Sequence, residues 1–466
     1  MKIWAGAFAM VLTACAGPRP APPPDANVTI PTGWQRGAAQ METGALTPAW
    51  WSVFGSSVLN DLVEQALAHN SDVLASASRV SQAEAELNAV RGQSKPSVGL
   101  GLGGDRERQV NAFGQPQMQR AWSAQFQASY EVDIFGRMAS ASASARAALA
   151  STRAVQASVR LSVGATVARA YIDLLVQHET LSVAQQTLQA RLGSKTVAQR
   201  RWDAGYGSEL ELRQAESEYE NAAALVPATR LAIAKDEDLL AELTGKPPSP
   251  IAIHEHLGDI RIPRIPLAIP SQVLRQRPDV IAAEDTVVAA DRALDEARAE
   301  FMPSVSLMAT GGYVGSTLLA SPVKVFTVGT TALAPLFEGG RLHAQADRAA
   351  SLRDQAAFAY RRAALSAFAE VEDALAASQQ YADREQALTR QQDATAAAYS
   401  LARNRFREGY ADYLEQLDAE RALLGAQLAA LEGREARLDA SVALIQAVGG
   451  GWNDAAHSQR PPAGAP

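Results

Sequence analysis

Few residues in this chain are spaced to do chemistry. His254 and His256 stand two apart and could share a metal on a strand, where alternate side chains face the same way. They lack further ligands nearby and fall in a proline-rich stretch at 247–270, so no metal site is expected. Gly99, Gly101, Gly103 and Gly104 have the density of a phosphate-cradling loop, but neither a lysine nor a helix start follows, and small residues of a strand is the better reading. Nucleophile elbows, paired-histidine helix motifs and a cysteine nucleophile are all missing, so the chain is expected to be no enzyme and to need no cofactor. The one suggestive charge pair is Asp418 and Arg421, with Leu414 one helical turn before the aspartate; the three share a helix face. From spacing alone that face reads as a first-turn aspartate beside a surface arginine.

The elements that must position such residues are constrained by composition. A net charge of −7 over 466 residues, without a basic tract, argues against nucleic acid as the main partner. A single cysteine leaves no internal disulfide framework. With aromatics at 6% and abundant alanine, thin and closely spaced helices are expected rather than a thick core. Beyond the first fifteen residues no run of 18 apolar residues occurs, so no membrane-spanning helix is expected, which leaves a membrane barrel open. Lys2 and the apolar run at 3–12 read as a secretory signal over 1–14. Its end, LTAC, resembles the bacterial lipobox and makes the only cysteine, Cys15, the lipidated first residue of the mature chain. Ala16, in place of an aspartate, implies by the same resemblance transfer to the outer membrane. Residues 15–49, rich in proline at 18–31, are expected to form an extended lipid-anchored tether.

The body reads as one unit repeated twice, over 50–246 and 271–452, joined by a linker at 247–270 and followed by a disordered tail at 453–466. KPSVGLGLGG from Lys95 matches MPSVSLMATGG from Met302, IFGR ending at Arg137 matches EGGR ending at Arg341, and RWDAGYGS at 201–208 matches RFREGYAD at 405–412. The same 64 positions separate Arg137 from Arg201 and Arg341 from Arg405, without an internal proline, which predicts two helices of roughly 100 Å. Shorter helices are expected over 57–93, 208–243, 271–301 and 412–447, each long helix running beside two stacked short ones. Leu342, Ala346, Ala349, Leu352, Ala356, Ala359 and Ala363 recur as a coiled-coil seam with small knobs, and Pro227 should kink its helix.

From Trp122 to Ile134 the residues alternate strictly, with Trp122, Phe126, Tyr130 and Ile134 on one face and Ser123, Gln125, Gln127, Ser129, Glu131 and Asp133 on the other. Such a strand suits an apolar medium on one side and water on the other, and its length suits a tilted bilayer crossing. Two hairpins, over about 97–134 and 304–336, are expected, with loops at 105–121, which carries Asp105, Arg106, Glu107, Arg108 and Arg120, and at 314–322. Taken alone, an edge hairpin of a soluble sandwich fits one such segment as well. Four strands cannot close a barrel with a lumen, so a membrane location would oblige the chain to oligomerise.

With WWSVFG at 50–55, RPDVIAAE from Arg277, ARAEFMPSVSL from Ala297, PLFEGGRL from Pro335, YLEQLDAERALL from Tyr413 and GGGW at 449–452, the chain resembles the TolC-like outer-membrane efflux channels, in the lipoprotein branch that serves resistance-nodulation-division pumps. The resemblance implies an α+β membrane protein: a homotrimer with one barrel of twelve strands, four per chain, continued by a helical periplasmic coiled-coil tunnel. It implies a Gram-negative outer-membrane exit duct for small toxic compounds, with a periplasmic adaptor protein and an inner-membrane pump as partners and outer-membrane lipid around it. Protein secretion is the alternative cargo, and a structural envelope lipoprotein the alternative class. By the resemblance, Leu414, Asp418 and Arg421 form the periplasmic gate, with uncharged first-half counterparts at Leu210, Gln214 and Ser217. The turns Gly205, Tyr206, Gly207, Ser208 and Gly409, Tyr410, Ala411, Asp412 would be the adaptor-docking tips.

Overall fold

A computed structural model describes residues 18–36, 46–110, 112–266 and 268–452; Cys15, the signal segment and the tail at 453–466 lie outside the described residues. In chain order the elements are α1 (Ser57–His69), α2 (Ser71–Gln93), β1 (Ser97–Val110), β2 (Pro116–Val132), α3 (Arg137–Asp203), α4 (Glu209–Leu243), α5 (Pro270–Gln276), α6 (Pro278–Ala299), β3 (Ser304–Ser316), β4 (Val323–Leu333), α7 (Arg341–Arg407) and α8 (Tyr413–Ala447). The two long helices have 67 residues each and the two that follow them 35 each. The chain divides into two compact units.

The first unit comprises Met1–Asn27, Arg79–Arg153 and Ala282–Arg362 and contains the sheet. All four strands pair antiparallel in the order β1-β2-β3-β4, which leaves β1 and β4 as edges. Register sorts the side chains completely by face. One face carries the rows Leu100–Phe126–Gly311–Phe326, Val98–Ala128–Ala309–Val328 and Tyr130–Leu307–Thr330. Phe326 is 84% exposed and Val328 78% exposed, so this apolar face is uncovered. The opposite face carries Gly101–Gln125–Gly312–Val325, Gly99–Gln127–Thr310–Thr327 and Ser129–Met308–Gly329.

The strands outrun the expected loops. Asp105, Arg106, Glu107, Arg108 and Arg120 sit in paired strand, with Arg106 opposite Arg120, so the first connection is only 111–115 and the second 317–322. At the other end β2 stops at Val132, two residues short of the alternating run. Asp133 is therefore not a strand residue: its Oδ2 accepts from the Ala139 amide at 2.8 Å and caps the start of α3. β4 likewise ends at Leu333 rather than 336.

In the same unit the proline-rich segment is docked. Buried Arg353 donates to the carbonyls of Pro20 at 2.6 Å and Ala21 at 2.9 Å, and Arg19 pairs with Asp291 at 2.7 Å and Asp295 at 3.2 Å. Pro24–Ala26 makes one 3-10 turn, which the expected extended tether did not include. Arg353 also displaces the expected seam of α7: Leu352 and Ala359 are exposed, and the buried line passes through Leu342, Arg353, Ala356 and Ala364.

The second unit, Val28–Ser78, Ala154–Ile281 and Ala363–Pro466, has a thicker core than the composition suggested. Trp50, Phe54, Leu59, Tyr171, Leu174, Leu240, Ile260, Leu438 and Val442 are buried together, with Trp50 edge-on to Trp51 and Phe54. Two expected helices are broken in two. Asn70 interrupts the first, its Oδ1 accepting from the Asp72 amide at 2.9 Å, and Arg277, held extended before Pro278, interrupts the second. Arg277 is buried, bonded to the Ala447 carbonyl at 3.1 Å and paired with Asp279 and Glu370. The 247–270 linker packs on the core through Ile251, Ile253, Leu257 and Ile260. α4 is assigned as helix through Pro227.

Candidate gate, hairpin tips and strand face

Each long helix ends in the same turn. Gly205 adopts φ 75° and Gly409 φ 81°, a left-handed conformation that costs glycine least, and the amides of Tyr206 and Tyr410 both return to an arginine carbonyl at 2.8 Å, Arg201 and Arg405 respectively. Ser208 and Asp412 then cap the next helix, accepting from the amides of Glu211 at 3.1 Å and Glu415 at 3.0 Å. The pairing Arg201–Glu211 at 3.1 Å recurs as Arg405–Glu415 at 3.0 Å. Tyr206 is 85% exposed and Tyr410 78%, while Gly207 is crowded against Arg201 and Trp202. Just behind the turns the two hairpins pack through Ala198, Leu212, Ala215, Phe406, Tyr413 and Leu417, with the Arg201 guanidinium over the Phe406 ring.

Leu414, Asp418 and Arg421 lie together on the exposed side of α8, as their spacing requires. Arg421 is nevertheless committed elsewhere. Its Nε donates to Glu218 Oε1 of α4 at 2.8 Å and its Nη2 approaches the same oxygen, whereas Asp418 stands 3.6 Å from Nη1. Glu218 is buried and also meets buried Arg191 of α3 at 3.0 Å; Arg191 reaches Glu420 of α8 at 3.2 Å. Two arginines and two glutamates thus bind three helices around one charge-balanced knot. The Arg191 Nε and Nη1 and the Glu420 Oε1 make close ionic approaches without aligned hydrogen bonds. Burial raises the Glu420 carboxyl, opposed by Arg191, and pushes the neighbouring Tyr413 hydroxyl up to about 12.

Glu218, Arg191 and Glu420 stand outside the residues that the spacing and the resemblance single out: the first-half counterpart of Arg421 is the uncharged Ser217, and the charge stands one residue later. Arg191, a cation amid small and aliphatic neighbours, was the available signal. Of the six strand residues expected on one face, Ser123, Gln125, Gln127, Ser129 and Glu131 share it, and Glu131 pairs with Arg137 at 2.8 Å at the base. The two histidines do not converge: His256 Nδ1 meets Glu179 at 2.9 Å, an interaction that raises its pKa, and Glu255 between them turns inward to bond Tyr171 Oη at 2.9 Å.

A model of the outer membrane efflux protein family matches residues 62–246 and again 269–450. The pyoverdine export outer membrane protein OpmQ of Pseudomonas putida is 32% identical over 457 residues, 96% of either chain. The toluene efflux pump outer membrane protein TtgF, from another strain of Pseudomonas putida, is 30% identical over 449 residues, covering 91% of this chain and 92% of its own. Among solved structures, the outer-membrane channel OprN superposes with a TM-score of 0.84 at 26% identity, over 92% of this chain and 99% of that one. The open state of the Neisseria gonorrhoeae MtrE outer membrane channel gives 0.79 at 27% identity, over 93% and 98%.

Proposed function

We infer the working form of this chain from the family to which it belongs, the outer membrane efflux proteins. It is an outer-membrane channel of an efflux pump in the Gram-negative envelope, a conduit and not an enzyme. Its partners are accordingly an adaptor and an inner-membrane pump. The finer arrangement is our reading. Three copies of the four-stranded sheet close one barrel, because a strand edge left open in lipid costs several kcal/mol for each unsatisfied backbone group. The two halves of the chain act as structural repeats, each contributing one strand hairpin to the barrel and one helical hairpin to a periplasmic tunnel.

The observation that carries this reading is the sheet: one largely apolar, uncovered face around Leu100, Phe126, Leu307 and Phe326, an opposite face with Ser123, Gln125, Gln127, Ser129 and Glu131 for the lumen, and two unpaired edges. Leu414, Asp418 and Arg421 restrict the periplasmic mouth, a reading supported by the tether of Arg421 to Glu218. The Gly-Tyr turns dock the adaptor, and Cys15 carries the lipid. The cargo is small toxic compounds, in keeping with a relative named for toluene efflux; another relative is named for pyoverdine export.

Affinity purification of the tagged protein from native membranes after mild crosslinking, read by native mass and partner identification, tests it. A trimer carrying an adaptor and an inner-membrane pump is expected. A monomer without partners would remove both barrel closure and export.

A further inference from the structure

At the base of the sheet in the first unit, a cleft of about 600 Å³ is lined by Asn88 and Arg91 of α2, Ser94 and Lys95 of the turn into β1, and Ser142 and Arg146 of α3. Three cations, an amide and two hydroxyls converge, and no carboxylate lines the cleft. Among the described residues none of the three cations is in an ion pair, although exposed arginines elsewhere in this unit pair readily, as Arg153 does with Glu84 and Arg292 with Asp295. Asn88 and Arg91 stand three apart on one face of α2, Ser142 and Arg146 four apart on one face of α3, and Lys95 joins them from the turn that follows α2. Like charges held together in this way repel one another unless an anion joins them. Guanidinium forks, an ammonium and hydroxyl donors are the set that suits a phosphate ester's several oxygens.

We propose that this cleft binds a phosphate ester, the headgroup phosphate of an anionic phospholipid in the inner leaflet of the outer membrane. The lipid source rests on the membrane-barrel reading above: Lys95 lies two residues before β1, and Ser142 and Arg146 lie in the first turns of α3 after β2, at the end of the sheet where the apolar face closes with Val132, Val305 and Ala332. A cation cluster just outside an apolar band is where lipid phosphates lie, and each basic residue near an anionic surface strengthens binding about fivefold.

The test uses the full-length protein and the combined variant Arg91→Gln, Lys95→Gln, Arg146→Gln. Native mass spectrometry from mixed micelles containing phosphatidylglycerol or only phosphatidylcholine reads retained lipid; thermal shift with inorganic phosphate reads the free ion. The expected result is retention of phosphatidylglycerol over phosphatidylcholine, weakened on the order of 100-fold in the variant. Phosphate stabilisation lost in the variant, without lipid preference, keeps the phosphate site and assigns it to the free ion. Equal phosphatidylglycerol retention by both proteins overturns the proposal. So does a variant that cannot trimerise, since the cations would then serve a neighbouring subunit. If the unsubstituted protein itself is monomeric and non-conducting in planar bilayers, the channel reading fails, whereas a conducting trimer that holds neither ligand overturns the cleft alone.

Discussion

Arg421 donates from Nε to Glu218 Oε1 across two helices at 2.8 Å, while Asp418, three residues away on its own helix, stands at 3.6 Å. Arg421 is thus tied sideways to α4, and Asp418, 65% exposed on its side chain, is left without that tie.

Removing the tie should loosen the mouth more than removing the aspartate. Glu218→Gln and Arg421→Ala are expected to raise closed-state single-channel conductance in planar bilayers, and Asp418→Asn to change it less. Conductances indistinguishable from the unsubstituted protein in all three would sink the assignment of the gate.

Arg191 is buried between two glutamates, so its removal leaves like charges facing in a dry site. Arg191→Met should cost about 3–5 kcal/mol of stability, seen as an earlier melt of the helical signal. Adding Glu420→Gln to that variant should recover part of the loss. Additive losses in the double variant would mean that the two residues do not share the knot.

A carboxylate group on α3, α4 and α8 sets a pH dependence. Burial, together with Asp173, Asp439, Glu432 and Asp236, pushes Glu435 up to about 7, and burial with Asp173 pushes Asp236 and, against Arg169, Asp439 up to about 6. Folded-state pKa values above the unfolded ones mean that the folded chain binds more protons between roughly pH 4 and 7, so this contribution is fully stabilising at low pH and falls as pH rises through that window. Glu435→Gln is expected to stabilise the protein by about 1 kcal/mol at pH 8, after discounting for partial exposure, and by nothing measurable at pH 4. Melting curves at the two pH values decide it.

Gly449 has φ +100°, and a Cβ there would collide with the Gln276 carbonyl oxygen. Gly449→Ala should destabilise by about 2–4 kcal/mol, because both the backbone conformation and the close approach exclude a side chain. Unchanged melting would show that this terminal turn can relax freely.

Tyr206 and Tyr410 contribute almost nothing to packing at their tips. Tyr206→Ser with Tyr410→Ser should leave the melting temperature within error and reduce adaptor capture in the crosslinking purification. Full capture would reduce the tips to plain turns.

Much of this was legible because periodic signals are local. Gly205 and Gly409 with their capping Ser208 and Asp412, the equal long helices, and the alternation of Trp122 to Val132 are properties of neighbours in the chain, and the structure keeps them. Boundaries were less legible where one residue changes the local rule: Asn70 caps, Arg277 precedes proline, and Asp133 leaves the strand to cap α3.

The amino-acid order by itself determined the two equal long helices, the four strands and the Gly-Tyr turns, since each needs only the spacing of side chains along a helix or strand. Tertiary structure decided what Arg421, Arg191 and Arg353 bind: Glu218 lies 203 positions from Arg421, and the Pro20 carbonyl 333 from Arg353. A buried charge must find its counter-charge or acceptor wherever packing brings one, and no period along the chain encodes that partner.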